Sequence, residues 1–264
     1  MDNVNIEEWV LKEKPSSIER SASRTFLIAK KRKKIDRFGK KLEEEAIFKI
    51  QTFISGANEI IAFRLAKILG LPITDVQILS RNNIKGEDID NDGTISFKIP
   101  DPHDVWFNLP PTIKNRPSDH IYNYNDFALL CVFDIFICNP DRHDRNLLAL
   151  DLLTGKFLFY IIDHGHSLLG VNGDAWPLSI NTNIERFMGN FANIYKEIAT
   201  HNFKLFEEAI EKIKAITDEQ IDEIVSSIPE IYLAQEKANE IRVGLKERRN
   251  NVELLVKNWY NNLN

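Results

Sequence analysis

Two cysteines, two methionines and 11 glycines in 264 residues leave several architectures without material. A disulfide-stapled scaffold needs a dense cysteine framework. Cys131 and Cys138 instead share one apolar segment, two turns apart on a helix face, where a bridge does not fit and both read as small packed hydrophobes. With 11 Gly and 10 Pro, collagen-like and linker-type chains are excluded. Long apolar runs are also missing: the longest, Ala128 to Cys138, is interrupted by Asp134 and falls short of the ~20 residues that span a bilayer. There is no basic excess, since 34 Lys+Arg stand against 39 Asp+Glu for a net charge of −5, the wrong sign for general nucleic-acid binding. The opening residues Met1 to Glu8 lack the basic-then-apolar order of a signal peptide. The expectation is a reduced, cytoplasmic protein without a membrane span. At 43% hydrophobic residues it carries enough apolar material for a packed core.

Along the chain, Thr25–Ala29 and Ala46–Gln51 read as strands around a charged tip that runs from Lys30 to Glu45. In the second strand Ala46, Phe48 and Ile50 face one way and Ile47, Lys49 and Gln51 the other. The basic tip reads as a solvated hairpin end. A helix follows from about Ala57 to Leu69, with Ile61, Leu65, Ile68 and Leu69 as its apolar stripe and Gly70 as its stop. Two more strands, Asp75–Ser80 and Thr94–Ile99, flank a polar connection ending in Asn91-Asp92-Gly93. That connection imitates a calcium loop in Asp88, Asp90, Asp92 and Gly93, but the twelfth position is Ile99 where a bidentate Glu is required, so it reads as a hairpin turn. Beyond Pro102 the pattern turns helical: Tyr124–Cys138 is strongly apolar, two short strands lie around 146–163, and several helices separated by Gly189, Thr217 and Pro229 fill 184–263. The fold class expected is α+β, with a small sheet-rich lobe over residues 1–102 and a larger helical lobe over 103–264.

Chemistry concentrates in Asn139-Pro-Asp141-Arg-His143-Asp-Arg-Asn146 and in Ile162-Asp163-His164-Gly165-His166. Phosphoryl transfer needs an oriented acceptor hydroxyl, metal ions against the phosphates and a cation on the remaining oxygens. Protein kinases meet these needs with an Asp, an Asn five residues on, and a second Asp on a later strand-turn. Asp141 and Asn146 have that spacing, and Asp163 closes an apolar strand with a Gly two residues beyond it. Upstream, Lys49 in Ala46-Ile-Phe-Lys49 stands where a kinase strand lysine belongs, and Glu59 lies in the first turn of the following helix. Asp134, inside the apolar helix, is expected to hydrogen-bond the catalytic loop, while Trp106, Trp176 and Trp259 read as packing residues. His103, His120 and His201 fall in no pattern.

These segments, with Ala57-Asn-Glu59 through Leu65 to Gly70-Leu-Pro72, resemble the HipA-like kinases, whose catalytic segment is also similar to that of the phosphatidylinositol kinases. The likeness covers roughly residues 16 to 170. It implies a bilobal protein-kinase-like fold that binds ATP and Mg2+ in its cleft. Asp141 would be the catalytic base, Asn146 and Asp163 the metal ligands, Lys49 the phosphate contact and Glu59 its orienting partner. The strand ending at Phe97, Lys98 and Ile99 would carry the adenine hinge. Three departures stand out. The usual Asp-Phe-Gly is Asp163-His164-Gly165 here, and His143 follows Asp141 rather than preceding it. The phosphate loop has no glycine, the first in the chain being Gly39, which leaves Ser21, Ser23 and Arg24 to present hydroxyls, amides and a cation.

The expected activity is therefore transfer of the γ-phosphate to a hydroxyl of a protein substrate, with lipid or small-molecule acceptors as the alternative. A metal-dependent hydrolase using Asp141, His143, Asp163, His164 and His166 is a reading of a different class. A catalytically weak nucleotide-binding regulator is another. A regulatory partner protein is compatible with the resemblance but cannot be read from this sequence.

Overall fold

The computed structural model describes residues 9–12, 24–35, 41–85, 89, 91–99, 102–173 and 189–262. Its N-terminal part is a six-stranded sheet built from β1 (Trp9–Leu11), β2 (Arg24–Ile35), β3 (Lys41–Ile50), β4 (Val76–Leu79), β5 (Ile84–Lys85) and β6 (Gly93–Phe97) in the order β4-β6-β3-β2-β1-β5. The helix α1 (Phe53–Leu69) connects β3 to β4.

The β2–β3 hairpin is longer than its apolar pattern suggests. Beyond Ala29↔Glu45 the ladder continues through Lys30↔Glu44 and Lys31↔Glu43. Lys30 and Glu44 pair across the strands at 3.3 Å, and the part of the sequence that reads as a turn extends the sheet. The expected alternation of β3 holds: Ala46 and Phe48 are fully buried against Phe26, Ile28 and Ile95, and Lys49 lies on the other face. Glycine is required at Gly93, because a Cβ there would sit 2.2 Å from the Lys49 carbonyl oxygen on the neighbouring strand.

α1 begins four residues before the expected start. Thr52 caps it by accepting from the Ser55 amide at 3.3 Å, which overrides the weak helix preference of Ser55 and Gly56. Gly70 ends it at φ 75° as expected. Of the proposed stripe, Ile61, Leu65 and Leu69 are buried, but Ile68 is 44% exposed; Ala57, Ala62 and Ala66 complete the buried face. In the connection that imitates a calcium loop, Asp88 and Asp90 lie outside the described residues. Asp92 accepts from the Ser80 hydroxyl and the Arg81 amide, capping a short 3-10 turn between the antiparallel strands β4 and β6.

The second part begins with β7 (His103–Val105) and two single-turn helices, α2 (Pro111–Lys114) and α3 (Pro117–His120). The helix α4 (Asp126–Phe136) is buried from Phe127 onward on every side, which explains why its sequence is apolar without a polar face. β8 (Leu147–Asp151) and β9 (Phe157–Ile161) join β7 in a three-stranded sheet of order β7-β8-β9. Five helices follow: α5 (Ala192–His201), α6 (Lys204–Lys214), α7 (Asp218–Ser226), α8 (Gln235–Asn250) and α9 (Val252–Asn261); α5, α6, α8 and α9 pack against α4, and α7 packs against α8 and α1. Thr217 separates α6 from α7 through a reciprocal cap with Gln220. Breaks at Asn202-Phe203 and at Asn251 carry no glycine or proline and were not expected.

Trp106 and Trp259 are core residues, as expected, and Trp176 lies outside the described residues. Neither cysteine is in a disulfide and both are buried, but Cys138 sits beyond α4 at φ 56°, so the two do not share a helix face. Among the described residues no helix is long and apolar enough to cross a membrane. The interior divides into a small core within the N-terminal sheet and a large one around α4, and α1 contributes its buried side to the large one.

Candidate active site

Two loops meet beneath the sheet. The first leaves the C-terminus of α4 and runs from Asn139 to Asn146; the second follows β9 from Ile162 to Gly165. Both hang on Asp134, buried in the last turns of α4. Asp134 accepts from Asn139 Nδ2 at 2.8 Å and from Arg142 at 2.9 and 3.0 Å through Nε and an Nη, a two-pronged guanidinium–carboxylate pair. Its expected bond to the catalytic loop is thus present, and Arg142 carries the link further. The other Nη of Arg142 donates to the carbonyls of Asn146 at 2.9 Å and Ile162 at 3.2 Å, so one buried cation ties the two loops together. Burial works against the Arg142 charge, and Asp134 outweighs it, holding the guanidinium above its ordinary range.

On this frame Asn146 donates from Nδ2 to the Asp141 carbonyl at 2.8 Å, with the Asp141 carboxylate at 3.4 Å. The Asp141 amide donates to Asn139 Oδ1 at 3.2 Å. The spacing read from sequence therefore does bring Asp141 and Asn146 together. His143 stands 3.9 Å from Asp141, too far for a hydrogen bond.

The second loop places Asp163 at φ 60°, a left-handed conformation that a non-glycine residue keeps only under constraint. The constraint comes from the sheet and from α1. Lys49 on β3 lies 3.0 Å from Asp163 and 3.4 Å from Glu59, and Glu59 also accepts the His164 amide at 3.2 Å. Burial alone would raise the Asp163 carboxyl, but the Lys49 ammonium draws it down to about 2. Burial opposes the charge on Lys49, and Glu59 and Asp163 together hold its pKa above the lysine range. Lys49, Glu59 and Asp163, which come from a strand, a helix and a loop, thus converge.

His164 occupies the place where the resemblance has a packing phenylalanine. Its ring meets the edge of Phe133 at 6.1 Å, so it packs, and its Nε2 lies 2.8 Å from an Arg142 Nη. A guanidinium only donates, so Nε2 accepts and the imidazole is neutral. Burial, with Arg142 beside it, holds its pKa well below the ordinary value of 6.5. This turns His164 away from any shared metal cluster with Asp141 and His143. Among the described residues no group of three or more His, Cys, Asp and Glu is arranged to hold a metal ion.

Other expected positions fare differently. The Phe97 amide donates to the Asp75 carbonyl at 2.9 Å and the Lys98 amide to the Glu45 carbonyl at 3.1 Å. Both are committed within the sheet, one to the β4 side and one to β3, so neither offers its N–H to an adenine ring without breaking a backbone bond. Ile99 is buried. Arg24 is exposed at the start of β2, its guanidinium 5.8 Å from the Phe26 ring. Ser21 and Ser23 lie outside the described residues.

Several contributors escaped the sequence reading. Asn58 donates to the carbonyls of Gly165 and Gly170, both at 3.1 Å, and the Thr52 hydroxyl donates to the Val171 carbonyl at 2.6 Å, fastening α1 to the Asp163 loop. Gly165 lets that loop approach, since a Cβ there would lie 2.3 Å from the Ser55 hydroxyl. An asparagine on the inner face of an apolar helix was the available signal for Asn58.

Two solved structures share this fold. A proinflammatory kinase of Helicobacter pylori, CtkA, superposes with a TM-score of 0.56 over 89% of this chain and 94% of its own, at 15% identity. The chain has a HipA-like, protein-kinase-like fold. HipA of Shewanella oneidensis MR-1, solved with HipB and operator DNA, aligns with a TM-score of 0.50 over 94% of this chain and 70% of its own, at 13% identity. No protein-family model and no curated protein matches the sequence. At these identities the likeness is one of fold, reached by a largely different sequence.

Proposed function

We propose that the protein is an ATP- and Mg2+-dependent phosphotransferase, acting on a hydroxyl of a protein substrate. The observation that carries this reading is the meeting of Lys49, Glu59 and Asp163 beside a loop that presents Asp141 and Asn146. In this reading residues 1–102 and 103–264 are the two lobes, with α1 packed into the core of the second.

The donor set suits magnesium completed by phosphate oxygens rather than a self-sufficient metal cage. Asp163 is ionised at any working pH and 38% exposed, and Asn146, with Nδ2 taken up by Asp141, has its Oδ1 left to face a cation. Magnesium bound there supplies charge neutralisation for the transferring phosphoryl oxygens. Lys49 binds phosphate oxygens, and Glu59 keeps its ammonium aimed at the cleft. Asp141, partly exposed at 37%, accepts the proton of the acceptor hydroxyl. The Asp134–Arg142 pair holds the two loops in register, so little reorganisation is required when the reactants arrive.

Thermal unfolding with and without Mg-ATP tests this. At 100-fold over its dissociation constant a ligand stabilises by about 2.7 kcal/mol, roughly 5–10 °C in midpoint for a protein of this size. Asp163→Asn should reduce that rise substantially. An unchanged midpoint at millimolar nucleotide refutes the reading, and mass analysis of an acceptor then separates phosphate from AMP transfer where the rise is found.

A further inference from the structure

Arg248, on α8, is one of the largest fully buried side chains in the protein, with 0% exposure. It lies on the inner face of its helix with Ile241 and Leu245, a stripe on which a hydrophobe is expected. Its guanidinium donates to the Phe136 carbonyl at 2.9 Å and to the Ile135 carbonyl. These belong to the last turn of α4, where the helix dipole is negative; the Ile135 carbonyl also accepts the Cys138 amide at 3.3 Å.

The position matters because the candidate catalytic loop starts just beyond it. One residue after Ile137 the chain turns at Cys138, φ 56°, and enters Asn139 and Asp141. The turn is held from three sides: by the Asn139 amide on the Asp134 carbonyl at 2.9 Å, by the Leu168 amide on the Ile137 carbonyl at 2.8 Å, and by Arg248 on the two preceding carbonyls. Arg142 and Arg248 thus bracket the exit of α4. The first is paired with a carboxylate, and the second is bonded to backbone oxygens from a helix about a hundred residues away. Burial lowers the Arg248 pKa, the cost of placing a cation there. An apolar side chain would pack in the same stripe without that cost, and what the guanidinium adds is its bonds to the end of α4.

We propose that Arg248 is a positioning residue: it fixes the end of α4 and through it the loop carrying Asp141 and Asn146, coupling the C-terminal helix pair α8–α9 to the candidate catalytic loop. Its catalytic meaning rests on the phosphotransferase reading, but the coupling itself does not.

Hydrogen exchange of the full-length protein, followed by mass spectrometry, tests it in wild type, Arg248→Met and Arg248→Lys. The reporter amides are Ile137, Cys138, Asn139, Asp141 and Asn146, each with a bond in the structure. The methionine variant should exchange about tenfold faster or more across 137–146, with peptides of β2–β3 unchanged. Should that variant not fold, the lysine variant decides: its single ammonium reaches at most one carbonyl well, so the same peptides should exchange severalfold faster. Wild-type exchange at 137–146 in the lysine variant overturns the proposal, and so does an increase spread evenly over the whole chain, which marks a purely structural role. In turnover, kcat should fall with the nucleotide KM unchanged. The Mg-ATP midpoint of the wild type, measured in parallel, reports on the phosphotransferase reading separately: its absence with a local exchange effect sinks that reading and keeps the coupling.

Discussion

Around Asp134 a carboxylate, a guanidinium, an amide and an imidazole lie out of water in one bonded cluster. Lys49, by contrast, reaches its two partners from a sheet through one flexible side chain. The helical side of the site is fixed by buried polar bonds whose loss strands a charge. The sheet side is fixed by backbone packing, with Lys49, largely buried, held between the carboxylates of Glu59 and Asp163. The difference sets a rigid frame of buried polar bonds on the helical side of the site against a single adjustable lysine on the sheet side.

The comparison breaks most severely at Asp134. Asp134→Ala leaves the Arg142 cation buried without its carboxylate and should destabilise by about 3–5 kcal/mol, read from urea unfolding. A loss below about 1 kcal/mol would falsify the view that this pair holds the loops. On the sheet side, Gly93→Ala forces β6 away from the Lys49 backbone and should cost about 1–3 kcal/mol. It should also weaken the stabilisation by Mg-ATP, because the lysine strand moves. Gly165→Ala, whose clash is with the rotatable Ser55 hydroxyl, should cost less, and Ser55→Ala should relieve it in part. If the two glycine variants are equally damaging, backbone packing is not what distinguishes the sheet side.

Acidity sharpens the contrast. His164 is neutral in the fold and its pKa lies below 6.5, so under pH 6.5 the unfolded chain binds a proton that the folded one refuses. Stability therefore falls as pH drops below about 6.5. Asp163 has its pKa lowered to about 2 from 3.8, so its contribution is present above about 4 and lost as pH falls from there towards 2. Urea midpoints at pH 8, 6 and 5 should decline, and His164→Gln, which keeps an acceptor for Arg142, should flatten that decline. A wild-type profile already flat from 8 to 5 contradicts the neutral, buried imidazole. The smallest effect is expected where Lys98, just beyond β6, and Glu45 on β3 form a partly exposed pair at 3.2 Å. Lys98→Ala should change stability by no more than about 0.5 kcal/mol in the same assay.

Legibility followed the same division. The spacing of Asp141 and Asn146, the strand that delivers Asp163, and the alternation that turns Lys49 away from Phe48 are local properties, and each was readable residue by residue. The strand ends at Ala29 and Ala46 were misplaced because opposite charges pair across a ladder, which no single strand reveals. Ile68 was misplaced because a stripe drawn on one helix does not say which neighbour covers it. The hinge was read from the end of a strand, but whether Phe97 and Lys98 keep free amides depends on Asp75 and Glu45, which are remote in sequence.

The sequence by itself determined the chemistry available: which carboxylates, amide and lysine occur, at spacings that a turn or a strand converts directly into orientation. Tertiary structure alone decided how the two loops are locked together, that His164 joins Arg142 rather than a metal cluster, that α1 packs with the helical core, and that Arg248 closes the end of α4. Those outcomes are bonds between groups far apart in the chain, and their energies come from burial, which exists only once the elements have packed.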